Sequence, residues 1–330
     1  MRLWPALFLL CSLASAQVSG LSAAAPGAVP PAPVSPALVS PATVSPATVS
    51  PATVSPESVT GVAALPGGTR LVCAETSLWK LGAGKPVRFT LPESCQGLRV
   101  SPSGQLALVA GAKAATVWRL GDGKMLTQVQ WPDPARRAAF LGDAALLLAG
   151  ANGLERLDLD TQARTSLRPG AATGAVTGVV AAPDGQRAVV GDGTRVQLVN
   201  LADGQVLSGV RCEAACPVQD AQFGAGRRVA VVRAGDTLYA LREGHPATVV
   251  LRGAQGSAGF PLAGGGVWVL TAGRIERRDA QTGRREGVVH PEGVSGPAAW
   301  TPQGGLLFVS GRELVELDAA GREAGRTALP

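Results

Sequence analysis

The stretch VAAPDGQRAVVGDGTRVQLVNLADGQVL, Val180 to Leu207, sets three turn signals between short apolar runs. Pro183-Asp184-Gly185, Gly191-Asp192-Gly193 and Ala202-Asp203-Gly204 supply turn residues, because Gly and Asp accept backbone conformations that other residues resist. The runs between them are too short for helices and rich in Val, which reads as strand. A small meander of this kind exposes two apolar faces and needs something to cover them. Copies of itself meet that need.

The first turn of the unit recurs as ALPGG (64–68), VSPSG (100–104), FLGD (140–143), AAPDG (181–185), FGAG (223–226), LAGG (262–265) and WTPQG (300–304). Successive copies are spaced near forty residues, the mark of a repeat architecture. Each continues with an apolar run such as RLVCAE or LALVAG, a small-residue turn, and a second run such as SLWKL or ATVWRL. A polar turn (GAGK, GDGK, ADGQ) and a last run (PVRFTL, VLSGVR, ATVVLR) complete it. Four short strands cannot be stable singly, whereas radial stacking buries both faces of every unit. The layout resembles the WD-repeat and YVTN-type β-propellers, as found in secreted bacterial proteins, over residues 59–330. Ser101-Pro102-Ser103-Gly104, Pro183-Asp184-Gly185 and the turn from Leu120 to Lys124 carry the likeness. The strict Trp-Asp and Gly-His signatures are missing, since Lys80 and Arg119 follow Trp79 and Trp118 and the chain has two histidines. The resemblance implies an all-β, seven-bladed propeller of four-stranded antiparallel blades. The first copy opens on its innermost strand and the last ends on its outermost. Every blade should therefore be complete in its own repeat, with closure resting on packing between the first and last.

Residues 1–16, MRLWPALFLLCSLASA, combine a basic start, an apolar run too short to span a bilayer and an Ala-Ser-Ala end, which reads as a cleaved secretory signal. Residues 17–58 repeat SPATV-like pentads without a charge between Arg2 and Glu57. Proline every fifth residue blocks helix and central strand, so this disordered linker should fluctuate around polyproline II, with a reach up to ~130 Å. The expected product is exported to the periplasm, the cell surface or the medium, with no transmembrane segment. Removal of the signal leaves Cys73, Cys95, Cys212 and Cys216, an even count suited to disulfides in an oxidising compartment. The spacing predicts Cys212–Cys216, because a tight loop brings them together, and the repeat phasing predicts Cys73–Cys95. A free buried thiol is the rival reading for Cys73.

No motif demands catalysis or a cofactor. Gln255-Gly256-Ser257-Ala258-Gly259 lacks the first glycine of a nucleophile elbow. Asp158-Leu159-Asp160 opens like a calcium loop but continues with Gln162 and Ala163, which suits a strand end better. Some propellers of similar repeat pattern hydrolyse lactones with carboxylates around a central metal. Glu75, Asn152, Asp192, Asp236 and Glu313 fall where such a set would lie, so a metal-assisted hydrolase or lyase at the propeller mouth is the alternative reading.

Binding is the more economical reading: a non-catalytic interaction or scaffold module. In a propeller, the loops from second to third strand and from blade to blade gather on one face. Those loops carry Trp131, Arg136, Arg137, Arg168, Arg211, Arg233, Arg252, Arg274, Arg312 and His290. The chain has four lysines against 26 arginines and a formal charge of +6. Arginine's planar fork engages an oxyanion at two points, so the expected partner is a protein or anionic glycan of the cell envelope. Export, the absence of a basic run and a single loop aromatic argue against nucleic acid.

Overall fold

The apolar runs become strands whose two faces are both buried. In blade 3, the second strand Ala145–Gly150 sends Leu146 and Leu148 into one hydrophobic cluster and Leu147 and Ala149 into another. Blades 2, 6 and 7 do the same with Leu106–Ala110, Gly266–Thr271 and Leu306–Ser310. Side chains alternate across a strand, so a strand covered on both sides reads as an unbroken apolar run rather than an alternating one.

A computed structural model describes residues 54–130, 138–150, 153–167, 176–212, 215–224, 228–254, 258–262, 265–271, 273–290 and 293–330. These form seven four-stranded antiparallel sheets, each following sequence order from its innermost to its outermost strand. Blade 1 runs from Val59–Ala64 to Val87–Thr90, blade 2 from Gly97–Val100 to Lys124–Gln130, and blade 3 from Ala138–Phe140 to Arg164–Leu167. Blade 4 runs from Gly178–Ala181 to Val206–Arg211 and blade 5 from Val218–Phe223 to Thr248–Leu251. Blades 6 and 7 run from Ala258–Pro261 to Arg285–His290 and from Ala298–Trp300 to Glu323–Ala328. Seven hydrophobic clusters account for the core, one at each seam between neighbouring blades. The seam between blades 6 and 7 is aromatic: Trp300 stacks on Trp268 at 5.9 Å and meets Phe260 edge-on at 5.8 Å.

No blade borrows a strand. The ring closes through the cluster holding Val72 and Trp79 of blade 1 against Leu307, Val309 and Leu314 of blade 7. Val54 joins that cluster, and its amide donates to the Pro330 carbonyl at 2.6 Å. Val54, ahead of the first strand, thus packs against the last blade.

Polar turn residues cap the outer hairpins. Asp158 Oδ1 accepts from the amides of Asp160 and Thr161 and from the Thr161 hydroxyl, and Asp279 repeats this with Gln281 and Thr282. The carboxylate that opens like a calcium loop therefore organises its own turn. Glycine matters most where blades approach closely. A Cβ at Gly178 or Gly191 of blade 4 would come within 3.0 Å or 2.6 Å of the Val218 side chain of blade 5.

Candidate functional site

Antiparallel strand order divides the turns between two faces. The turns from second to third strand and the blade-to-blade connectors share one face, and a repeated backbone pattern ties them together. After the fourth strand, the amides of Leu91, Cys212 and Leu329 donate to the carbonyls of Thr76, Thr194 and Arg312 in their own blades' turns. Ahead of the next blade, Cys95, Val176, Cys216 and Val294 donate to Glu75, Gly150, Gly193 and Gly273.

Two disulfides reinforce this face. Cys73 is bonded to Cys95, and Cys212 to Cys216, with Cα separations of 6.1 and 6.2 Å. The first ties the second strand of blade 1 to the connector leaving it. The second closes the connector between blades 4 and 5 immediately after Arg211.

The arginines of this face differ in what they touch. Arg211, Arg252 and Arg312 are exposed and, among the described residues, make no ion pair or side-chain hydrogen bond. Arg233 is half-buried, with its Nε lacking an acceptor. Arg274 is engaged: its guanidinium lies 2.7 Å from Glu276, a carboxylate only 2% exposed that also meets Arg278 at 2.9 Å and Arg285 at 3.7 Å. Arg211, Arg233, Arg274 and His290 belong to strand ends rather than loops, because the ladders extend further into the turns than the turn signals suggest. Trp131, Arg136, Arg137 and Arg168 lie outside the described residues.

Three of the carboxylates considered for a metal, Asp192, Asp236 and Glu313, are engaged locally. Burial opposes ionisation of Asp192, but the Thr194 and Arg195 amides and the Thr194 hydroxyl prevail and hold its carboxyl below the usual range. Asp236 accepts from the Thr237 hydroxyl at 3.0 Å, and Glu313 pairs with Arg326 at 2.9 Å. Asn152 lies outside the described residues. Among the described residues, no three His, Cys, Asp or Glu side chains group as metal ligands, and no helix is long and apolar enough to cross a membrane.

The ring of complete four-stranded sheets decides the architecture. The chain is a seven-bladed β-propeller. Its fold is similar to that of the β-propeller domain of Cps50 (Swd1) from Myceliophteria thermophila, with a TM-score of 0.57 at 14% identity, covering 79% of this chain and 95% of that one. Such a likeness extends to 1321 solved chains, so it specifies the propeller fold and no ligand. No family model matches the sequence, and no curated protein matches it.

The sequence reading passed over Arg99 and Asp220, the charged residues on the innermost strands of blades 2 and 5. A signal was available: the innermost strands of the other five blades, VTGVAA, AAF, GVVA, AGFP and AAW, contain no charge.

Proposed function

We propose that this propeller is an exported, non-catalytic interaction module whose connector face presents arginines to an anionic partner, either an acidic protein loop or an anionic glycan. The observation that carries this reading is a contrast in pairing. Many arginines elsewhere on the propeller meet carboxylates: Arg70 with Glu316, Arg119 with Asp122, Arg187 with Asp184 and Glu243, and Arg322 with Asp318. Arg211, Arg252 and Arg312 on the connector face have none among the described residues. Free guanidinium forks held on hydrogen-bonded turns suit bidentate capture of oxyanions. The ring fixes the backbone that carries them, which confines the ordering cost at binding to the side chains themselves.

The test is the triple variant R211S/R252S/R312S, compared with the parent protein in pull-downs from an envelope fraction across a salt series. The parent should recover its partner with a yield that falls as salt rises, and the variant should lose most of that yield. Equal recovery and equal salt dependence would remove the anionic-partner reading. Export has its own test: protein collected outside the cytoplasm should begin at Gln17.

A further inference from the structure

The innermost strands of all seven blades enclose a central cavity of about 860 Å³, open on the face opposite the connectors. That size falls within the usual range for small-molecule sites. Its mouth is formed by the first turns, including Pro66, Pro102, Pro183 and Pro302, and its wall mixes polar side chains with apolar ones such as Phe140, Val180 and Phe223. Two charges of that wall form no ion pair with the described residues. Arg99 comes from blade 2 and Asp220 from blade 5, three blades further round the ring.

Among the described residues, no ion pair within 4 Å and no side-chain hydrogen bond involves Arg99 or Asp220. Protein atoms crowd the Arg99 guanidinium, although it retains contact with the solvent in the channel. That burial pushes its pKa down, opposed by the charge of Asp220. The two residues line one cavity and form no ion pair with each other. Arg277, the other cation on the wall, is already held by Glu286 at 2.8 Å. Arg233 lies across the strand ladder from Asp220 but does not pair with it or line the cavity.

An oxyanion on Arg99 and a cation on Asp220 would form the charge-assisted hydrogen bonds that the described protein residues do not supply. We propose that the central cavity binds a zwitterionic small molecule with an apolar side chain, an α-amino acid or short peptide, its carboxylate on Arg99 and its ammonium on Asp220. The apolar side chain packs against the apolar part of the wall, which includes Phe140 and Phe223. This site is independent of the connector face and stands or falls separately from the partner proposed there.

Calorimetric titration of the full chain with the proteinogenic amino acids and their alanyl dipeptides tests the assignment. At least one should bind more tightly than about 1 mM. For that ligand, N-acetylation, which removes the ammonium, and amidation, which removes the carboxylate, should each weaken binding at least about tenfold. The variants should divide the effect. R99Q should weaken the zwitterion and the N-acetyl form alike, R99K should restore part of the loss, and D220N should weaken the zwitterion while sparing the N-acetyl form. No saturable binding across the panel would overturn the proposal, as would equal binding of the parent and N-acetyl ligands. The ligand comparisons use the unaltered protein, so they hold even where a variant folds poorly.

Discussion

The amide of Val54 donates a hydrogen bond to the carbonyl of Pro330, 2.6 Å away, so the two ends of the propeller meet at one seam. Val54 and Leu329 are both buried in the cluster joining blades 1 and 7, and the Leu329 amide is anchored on the Arg312 carbonyl. The ring lacks a shared strand here, which leaves side chains and these few bonds to close it. V54A and L329A should each cost about 1–3 kcal/mol. Their combined effect in denaturant unfolding should depart from the sum by at least about 0.5 kcal/mol. Strict additivity would show that the two residues do not act as one clasp.

The two disulfides should contribute unequally. Cys73–Cys95 spans 22 residues and Cys212–Cys216 only four. In the chain-entropy view, the longer loop gains more, about 3 kcal/mol against about 2 kcal/mol. The paired variant C73A/C95A should therefore melt below C212A/C216A. The reverse order in thermal scans would place most of the second bridge's contribution in the folded state.

Glu276 is the buried hub of blade 6, with Arg274, Arg278 and Arg285 around it. Removing one member of a buried ionic cluster leaves charge without compensation. E276A should cost about 3–5 kcal/mol, read from urea unfolding. Exposed Arg322 and Asp318 form a pair where R322A should cost less than about 1 kcal/mol.

Stability should fall in acid for a local reason. The Asp279 carboxyl is held below the usual range, first by the Thr282 hydroxyl and then by the Thr282 amide. Asp158 and Asp318 are lowered chiefly by the Thr161 and Arg322 amides. A carboxylate with a depressed folded-state pKa stabilises the fold fully above its unfolded value, about 3.9, and loses that contribution as pH falls through the folded one. Melting temperature should accordingly hold between pH 7 and 5 and drop below about pH 4. The D158N/D279N/D318N triple variant should show a shallower acid decline, and an unchanged pH profile would assign acid sensitivity to other groups.

The repeat, the strands and the turns were legible along the chain because each depends on neighbours in sequence. Pro183-Asp184-Gly185 makes its turn from its own residues, Asp279 caps a hairpin from inside it, and Cys212 and Cys216 are bonded four residues apart. Even ring closure followed from where the first and last copies begin and end. Tertiary structure decided what depends on which blades come together. It left Arg211, Arg252 and Arg312 free while committing Arg274 to Glu276, a difference that residue type and loop position do not encode. It set Arg99 and Asp220, 121 positions apart, facing one central cavity. Their meeting depends on how seven seams stack into a circle, which sums packing from the whole ring and is written in no single repeat.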